Sequence, residues 1–381
     1  MKLKNITVAL LTIASLAGCR KTDSSSIKKP ALITITDAMK RSVTIDTEKV
    51  NRVICIGAGA LRLYSYIGDM NKIVAAEDID RGIRGANPFQ GISRPYYDVN
   101  KDLLNKLPSA GKGGPKNQAA ESETLLAAKP EIIISEYVGA KEADTLQEFL
   151  GVPVVTVSYG RMSVFDDNVK TSFTNLGKIF KKEQRAESLI HYINEAASEL
   201  KSKAEGVKDE DKPALYVGGL GNWGKADIYS TSTSFPLFDI SKVRYAIQGV
   251  KIDQGNIDHE KLIASNPDKI ILDTAGMDNM RKTYKKDPTA FQSLKAFQQN
   301  EVYLEMPFNA YYTNLEIALM DAYYIASVAY PEKYQGFDIA KKSNEISKAF
   351  LNVECYDAIK QMPKSEGGFR KIENIQEFLS K

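Results

Sequence analysis

Short apolar runs alternate with helical patterns along most of this chain of 381 residues. Each run is too short for a second helix and predicts a buried strand. Buried strands that alternate with helices are typical of mostly parallel sheets covered on both faces, so the pattern predicts an α/β fold. The predicted strands span residues 53–56, 73–76, 132–135 and 154–157 in the first half, and 214–217, 270–273 and 302–304 in the second.

One pattern of apolar and polar positions occurs twice. Residues 123–134 and 260–271 both read Glu-x-Leu-(Leu/Ile)-Ala-x-x-Pro-(Glu/Asp)-x-Ile-Ile. Because proline cannot continue a helix, each copy predicts a short helix that ends near the proline and is followed by a buried strand. A unit repeated once at this distance is not a solenoid, whose periods are about 20–50 residues. The repeat indicates two similar Rossmann-like lobes, each with an acidic residue at the start of an equivalent helix.

The middle of the chain predicts a helical connection between these lobes. Apolar residues recur at helical spacing over 163–203, with charged residues on the other face. The charged segment 205–213 then predicts a loop, and a further helix is predicted at 309–330. The predicted organisation is an N-terminal lobe at 31–181, a connecting helix at 182–206 and a C-terminal lobe at 207–381.

The N-terminus has the pattern of an export signal at residues 1–18. Lys2 and Lys4 precede an apolar stretch that is too short to span a bilayer. The ending Leu-Ala-Gly-Cys19 resembles a bacterial lipoprotein signal, which implies lipid attachment to Cys19; the alternative is an ordinary cleavage site among small residues. Residues 19–30 are polar and predict a flexible tether. We therefore expect an exported protein, lipid-anchored to a bacterial membrane at its periplasmic or cell-surface face.

Composition narrows the function without deciding it. The chain has 51 basic and 48 acidic residues, so its charge gives no reason to expect a nucleic-acid partner. Hydrophobic residues make up 43% of the chain, which is ample for a buried core. Cys55 lies in an apolar run and is predicted to be a buried strand residue, while its pairing with Cys355 stays open. With only two histidines in the chain, a zinc site of histidine ligands is disfavoured, and we predict no metal ligands.

Several segments together resemble a known family. They are residues 33–45, residues 51–57, the repeated motif, and the closing Gly367-Gly368-Phe369. Over nearly the whole mature chain, the sequence resembles the substrate-binding lipoproteins of bacterial ABC importers for iron-siderophore complexes, haem and cobalamin, the class III periplasmic binding proteins. The resemblance implies two α/β lobes with parallel-rich sheets, joined by one long rigid helix, with the ligand cleft between them.

The resemblance also implies how the protein meets its partners. In that family, the acidic residue that opens each copy of the motif docks onto arginines of the permease, and these residues are Glu123 and Glu260 here. Two carboxylates far apart on one surface set register and orientation against two basic pockets. The alternative is that each is a helix N-terminal acid favoured by the helix dipole. The expected partners are an ABC permease and its ATPase subunit, with the protein itself a monomer.

Candidate ligand contacts follow from the fold. In open α/β sheets, ligands bind beyond the carboxyl ends of the strands, so the loops that follow the strands should line the cleft. Trp223 lies between glycines in such a loop and suits a flat ligand. Arginines in an irregular segment suit oxygen-rich anions, although each by itself has the alternative of a solvated surface group. The candidate ligand-binding residues are Gly59, Arg81, Arg84, Arg94, Tyr137, Trp223, Asn309 and Tyr311. The hydroxyl-rich residues 228–235 fit either an oxygen-rich ligand or a polar strand and loop.

Enzyme motifs are present only in incomplete form. Residues 219–224 match a dinucleotide fingerprint but are not followed by the helix that this fingerprint requires. We therefore predict no catalytic residues and no cofactor. The expected function is capture of a ferric-siderophore or other iron chelate for an ABC importer. The alternatives are haem, cobalamin, a nickel chelate or a molybdate-type oxyanion in the same role, and more remotely an exported enzyme on the same fold.

Overall fold

The computed structural model describes residues 31–83, 91–114, 122–136, 138–160, 163–221 and 226–381. The predicted signal at 1–18, the tether at 19–30 and the lipidation residue Cys19 lie outside these ranges. The described chain begins with an antiparallel hairpin whose alternate residues are buried against the first lobe. Its strands are β1 (Leu32–Thr36) and β2 (Ser42–Asp46).

The first lobe contains a parallel sheet of short apolar strands. These are β3 (Val53–Ile56), β4 (Ile73–Ala76), β5 (Ile132–Ser135) and β6 (Val154–Thr156), in the order β4-β3-β5-β6. Strand β3 is buried along its whole length and pairs with β4 and β5. The helices around the sheet are α1 (Ala60–Ile67), α2 (Pro95–Leu104), α3 (Ser122–Ala127) and α4 (Ala140–Leu150), with 3-10 turns at Met70–Lys72 and Asp78–Asp80.

Two consecutive helices lead from the first lobe to the second. Helix α5 (Asp167–Phe180) begins at the cap residue Asp166, whose carboxylate accepts a hydrogen bond from the Asn168 main-chain N–H. Helix α6 (Glu183–Lys203) then runs for 21 residues and buries one apolar stripe. The helices approach so closely that a Cβ at Gly177 would lie 2.8 Å from Cβ of Ala186. Helix α6 is the long connecting helix that the sequence predicts.

The second lobe is built on a mainly parallel sheet with one antiparallel edge strand. Its strands are β7 (Ala214–Gly218), β9 (Arg244–Tyr245), β11 (Lys269–Asp273), β12 (Val302–Glu305) and β13 (Arg370–Lys371), in the order β13-β12-β11-β7-β9. Strand β13 runs antiparallel to β12. A separate short antiparallel pair joins β8 (Ser230–Thr231) to β10 (Gly255–Asn256).

The helices that follow α6 pack around this second sheet and, in part, against the first lobe. They are α7 (Pro236–Ile240), α8 (His259–Ser265), α9 (Met277–Lys286), α10 (Pro288–Gln292), α11 (Lys295–Gln298), α12 (Leu315–Ala329), α13 (Ile339–Leu351), α14 (Tyr356–Lys360) and α15 (Ile375–Ser380). The 3-10 turns lie at Asp209–Asp211, Thr274–Gly276, Pro331–Lys333 and Pro363–Ser365. Helix α12 is buried almost all round, which places it at the centre of the core. The predicted α/β fold, with parallel-rich sheets joined by a long helix, is confirmed.

Both copies of the repeated motif adopt the same local structure. Each forms a short helix, α3 or α8, and ends in a residue with a left-handed backbone directly before the proline: Lys129 has φ 50° and Asn266 has φ 37°. The invariant leucine of the motif, Leu125 or Leu262, is buried in the core of its lobe. A buried strand follows each copy, as the sequence predicts.

Other expectations differ from the structure. The helix predicted at 309–330 begins only at Leu315, because Tyr311 and Tyr312 both have left-handed backbones. The segment after Arg94, predicted to be irregular, forms helix α2, with Pro95 at its first position. Cys55 is buried in β3 as predicted, and neither it nor Cys355 forms a disulfide. The lobe boundaries at 181 and 206 stay a prediction, and Tyr66 of α1 packs edge-on against Phe350 of α13, so the C-terminal helices also contact the first lobe.

Candidate functional site

The loops that follow the strands of both sheets come together at the carboxyl ends of the strands. In the first lobe, the loop after β3 is tied to the residue that directly follows β4. The Gly57 main-chain N–H donates to the Glu77 carboxylate at 2.9 Å, and Glu77 is buried. In the second lobe, the residues after β12 form the facing loop, which we call the 308–314 loop. The predicted cleft therefore has a wall from each lobe.

Gly59 lies close to residues of both walls. Its backbone is left-handed with φ 98°, and a Cβ there would lie 3.0 Å from the Tyr159 ring and 3.2 Å from the Tyr311 carbonyl oxygen. The Tyr159 hydroxyl donates to the Gly59 carbonyl at 2.7 Å. Both the backbone conformation and the available space therefore require glycine here. The structure thus brings two predicted site residues, Gly59 and Tyr311, into contact distance.

The 308–314 loop is held by an arginine of the other lobe. Arg62 in α1 is fully buried, and its guanidinium donates to the carbonyl oxygens of Ala310 at 2.7 Å and Tyr311 at 2.8 Å. Longer contacts of 3.3 Å reach the carbonyls of Tyr312 and Thr313. Planar, multiply donating guanidinium groups suit such a set of carbonyl acceptors.

Sequence reasoning did not identify Arg62. The available signal is that it is the only charged residue in the mainly apolar and aromatic segment Ala60–Ile67. A charged side chain is rarely buried unless it is paired or hydrogen-bonded, so such a position indicates a specific partner. Its face also lies 4.9 Å from the centre of the Tyr96 ring, in a cation–π arrangement.

Aromatic rings from both lobes pack together beside Gly59, with the ring of Tyr159 fully buried. Tyr312 stacks on Tyr159 with ring centres 5.1 Å apart and planes 13° from parallel. Tyr311 is half-buried beside them, and burial raises the pKa of its hydroxyl while the nearby Arg94 opposes that rise. Asn309, another predicted contact, is half-buried and pairs with Thr313 through a backbone bridge. We call Tyr159, Tyr311 and Tyr312 the tyrosine wall.

The two described candidate arginines are engaged with carboxylates of their own lobe. Arg81 donates to Asp78 at 2.9 Å. Arg94 is buried, donates to the Ile79 carbonyl, and lies 3.5 Å from the Asp80 carboxylate. Burial raises the pKa of Asp80, and the charge of Arg94 counteracts this effect. Each arginine already has a carboxylate partner, and its role as a ligand contact stays a prediction.

Other candidates lie outside the described residues or turn inward. Arg84, Tyr137 and Trp223 fall in the gaps of the described ranges. Hydroxyl groups of the segment 228–235 bond to the protein itself. Thr231 donates to the Val217 carbonyl at 2.6 Å, and Ser234 donates to Asp253 at 3.0 Å. The segment forms a short polar strand and loop, and its residues Ser232, Ser234 and Phe235 also line a pocket, so its role as a ligand surface stays a prediction.

Three buried carboxyl groups lie behind the second-lobe wall. Asp273 and Glu305 are register partners at the ends of β11 and β12, and Asp321 of α12 accepts a hydrogen bond from the Met306 main-chain N–H at 2.9 Å. Within the described part of the chain, neither carboxyl oxygen of Glu305 has a hydrogen-bond partner. Burial raises the pKa of Glu305 well above its ordinary value, and Asp321 and Asp273 add to the rise.

Burial likewise raises the pKa of Asp273 to about 7, although the Ala275 N–H opposes it, and raises that of Asp321 well above its ordinary value. We call Asp273, Glu305 and Asp321 the carboxyl cluster. Sequence reasoning placed Asp273 at the end of a predicted strand but did not predict the cluster. Across the described ranges, no group of three or more His, Cys, Asp or Glu side chains is arranged to hold a metal ion.

None of the described helices is both long enough and apolar enough to cross a membrane.

The predicted docking acids lie on the surface. Glu123 is in the first turn of α3 and Glu260 in the first turn of α8, and both side chains are exposed. The Asp258 carboxylate caps α8 by accepting from the Lys261 main-chain N–H at 2.6 Å. Glu260 is therefore not needed as the cap of its helix.

Comparison with known proteins gives one family and a set of similar structures. The family model described as "Periplasmic binding protein" matches residues 53–307. No curated protein sequence shows significant similarity to this chain.

Three solved structures show the extent of the likeness. A periplasmic solute binding protein from Veillonella parvula DSM 2008 is similar with a TM-score of 0.66 and 17% identity, over 87% of this chain and 96% of that one. The molybdate-bound periplasmic protein MolA of Haemophilus influenzae has a TM-score of 0.63 and 17% identity, over 84% and 98%. CeuE of Helicobacter pylori, in a nickel–histidine complex, has a TM-score of 0.56 and 16% identity, over 86% and 97%. At these identities, the structures show a shared fold.

Proposed function

Because this chain belongs to the periplasmic binding protein family, whose members are solute-binding proteins of ABC transporters, we propose that it captures a ferric-siderophore or other iron chelate and delivers it to a permease. The role is binding rather than catalysis. The ligand lies between the lobes, against Gly59 and the tyrosine wall. Energy for transport comes from ATP hydrolysed by a separate subunit.

The tyrosine wall is the observation that supports the proposed class of ligand. Tyr311 and Tyr312 are half-buried, with the fully buried Tyr159 stacked behind Tyr312, and half-buried aromatic rings favour an organic ligand with flat or apolar surface. A bare oxyanion needs uncompensated N–H donors, whereas Arg94 is paired with Asp80 and Arg81 with Asp78. An iron chelate with an organic shell therefore fits the described residues better than molybdate does.

Other ligands of the same role stay as alternatives. The similar structures include one bound to molybdate and one holding a nickel–histidine complex, and both ligands belong in the test. Haem and cobalamin also have the flat or apolar surface that the tyrosine wall suits.

Delivery involves the surface acids and the membrane anchor. We assign permease docking to Glu123 and Glu260, which are exposed at equivalent positions of the two lobes. A lipid on Cys19 keeps the protein, as a monomer, near the permease. Because the lobes contact each other through Arg62 and the 308–314 loop, the cleft is largely formed before the ligand arrives.

Calorimetric titration tests the ligand class. The soluble chain from Arg20 onward is titrated with ferric catecholates, ferric hydroxamates, ferric citrate, haemin, cobalamin, nickel–histidine and molybdate. We expect one ferric chelate to bind one to one with micromolar or tighter affinity and to be recovered unchanged. Tyr311→Ala should weaken it about tenfold. The matched control Tyr192→Ala, on the connecting helix α6, should leave the affinity unchanged.

The titration separates the alternatives. Saturable binding of molybdate alone would replace the iron chelate with the oxyanion alternative. Binding that is insensitive to Tyr311→Ala would remove the tyrosine wall from the site. Chemical conversion of the ligand would favour the enzyme alternative.

A further inference from the structure

The repeated motif carries a second exposed feature besides its acid. Leu126 is 49% exposed and Ile263 is 36% exposed, and they occupy the same position of the two motif copies. Large hydrophobic side chains with this exposure are few in the described residues. Two of them at one position of an internal repeat indicate a shared role rather than chance.

Helix geometry places each aliphatic residue next to its acid. Leu126 follows Glu123 by three positions in α3, and Ile263 follows Glu260 by three positions in α8. Side chains three residues apart on a helix are neighbours on the same surface. The residue just before each aliphatic, Leu125 or Leu262, points into the core and fixes which face the pair presents.

Each lobe therefore presents the same exposed pair, an acid and an aliphatic side chain. We call Glu123 with Leu126, and Glu260 with Ile263, the two acid–aliphatic pairs. A partner that fits both must offer the same chemistry twice, namely a basic group beside an apolar depression. A second copy of this chain meets this requirement poorly, because a symmetric contact through the pairs would bring carboxylates together. A permease whose surface repeats the same site for each lobe meets it well.

We propose that Leu126 and Ile263 are permease contacts, each filling an apolar depression beside the basic pocket that receives Glu123 or Glu260. This inference rests on the proposed function, in which the chain docks on an ABC permease. The acids steer and orient the encounter, while burial of the aliphatic side chains slows dissociation. Exposed aliphatic side chains buried at an interface have this effect because their apolar surface leaves water.

Site-specific photo-crosslinking tests the contact in the native host. The photoreactive amino acid p-benzoylphenylalanine replaces Leu126, Ile263, Glu123 or Glu260 in the full-length chain, one at a time, and adducts are identified by mass spectrometry. Leu32 and Val250, exposed aliphatic residues outside the motif and on different lobes, serve as control positions. We expect positions 126 and 263 to crosslink to the same multi-span permease and the control positions not to do so.

A binding measurement then uses that permease with its ATPase in nanodiscs. The double variant Leu126→Ser with Ile263→Ser should bind at least about tenfold more weakly than the unchanged protein. The control Leu32→Ser with Val250→Ser should bind normally. Because all four side chains are exposed, neither variant should disturb folding.

The outcomes distinguish this inference from the proposed function. Crosslinks from 123 and 260 but not from 126 and 263 would overturn the inference and leave docking through the acids in place. Crosslinks to a second copy of this chain, or equal weakening by the control variant, would also overturn it. Absence of crosslinks at all four positions would remove the docking assignment too, while the calorimetric titration tests ligand capture independently.

Discussion

The guanidinium of Arg62, in the first lobe, donates a hydrogen bond of 2.8 Å to the main-chain carbonyl of Tyr311, in the second. The donor and acceptor are 249 positions apart in the chain. Tyr311 and Tyr312 both have left-handed backbones, which cost conformational energy in residues other than glycine. The buried donor offsets that cost by satisfying their carbonyls. It thereby holds the tyrosine wall in place and ties the lobes together beside the cleft.

Replacing Arg62 should loosen this connection. Arg62→Met keeps most of the side-chain volume but leaves buried carbonyl groups without a donor, so we expect a loss of about 3 kcal/mol in the free energy of unfolding. Arg52→Met is the matched control, because exposed Arg52 also donates to two carbonyls, those of Ala128 and Lys129. It should cost at most about 1 kcal/mol. Urea unfolding followed by circular dichroism measures both, and equal losses would contradict the role of Arg62.

A methyl group at Gly59 should damage the same region. Gly59→Ala introduces a left-handed alanine and a contact of 3.0 Å with the Tyr159 ring, so we expect about 2–4 kcal/mol of destabilisation and weaker ligand binding. Gly151→Ala is the control, because Gly151 is also left-handed but has no heavy atom within 4 Å of the added Cβ. It should cost about 1 kcal/mol and leave ligand affinity unchanged. A normal affinity in Gly59→Ala would place the ligand elsewhere.

The carboxyl cluster should make stability depend on pH. The pKa of Asp273 rises from 3.8 to about 7, and those of Glu305 and Asp321 rise as well, so the folded state binds more protons than the unfolded state in this range. The stability from these groups is fully present below about pH 4 and is lost as the pH rises through about 7 and beyond. Each proton contributes a slope of up to about 1.4 kcal/mol per pH unit.

Glu305→Gln should therefore make the decline of stability with pH shallower and raise stability at pH 8 by about 1–3 kcal/mol. Urea unfolding at a series of pH values measures the slope. Glu301→Gln is the control, since ion pairing with Lys371 and a hydrogen bond from Tyr303 lower the pKa of Glu301 despite partial burial. A slope unchanged by Glu305→Gln would show that the cluster does not titrate in this range.

Removing the docking acids should separate transport from binding. Glu123→Ala with Glu260→Ala is expected to abolish transport in proteoliposomes and leave the calorimetric ligand affinity unchanged, because both side chains are on the surface. Glu142→Ala with Glu377→Ala is the matched control, since these are exposed first-turn acids of other helices, one in each lobe. Loss of ligand affinity in the docking variant would refute the assignment.

The proposed anchor has a direct test. Cys19→Ser removes the thiol that would carry the lipid, so the protein should move from the membrane fraction to the soluble exported fraction. Cys355→Ser should leave the distribution unchanged, because Cys355 lies in the folded C-terminal part of the chain. Fractionation followed by immunoblotting measures this, and membrane retention of Cys19→Ser would contradict lipid attachment at Cys19.

Part of the candidate site could be predicted from the sequence. Gly59 was predicted from its place after a strand, because the carboxyl ends of parallel strands meet at one edge of a sheet. Arg81 and Arg94 were proposed because they lie in a segment with little regular pattern. Asp78 is only three positions before Arg81, but no sequence pattern reveals that Asp80 lies beside Arg94, 14 positions away. The role of Arg62 was not predicted because its hydrogen-bond acceptors are main-chain carbonyls. Every residue has such a carbonyl, so no residue pattern in the sequence identifies these acceptors.

The sequence by itself determined seven strands of the two main sheets, the connecting helix and the repeated motif. These depend on local periodicity, on proline and on short apolar runs, whose physical consequences extend over only a few residues. Tertiary structure alone decided that Arg62 reaches the 308–314 loop and that Asp273 and Glu305 meet as register partners. It also decided that Leu126 and Ile263 stay exposed while Leu125 and Leu262 are buried. Burial and hydrogen bonding depend on which distant segments become neighbours, and that is settled only when the lobes pack.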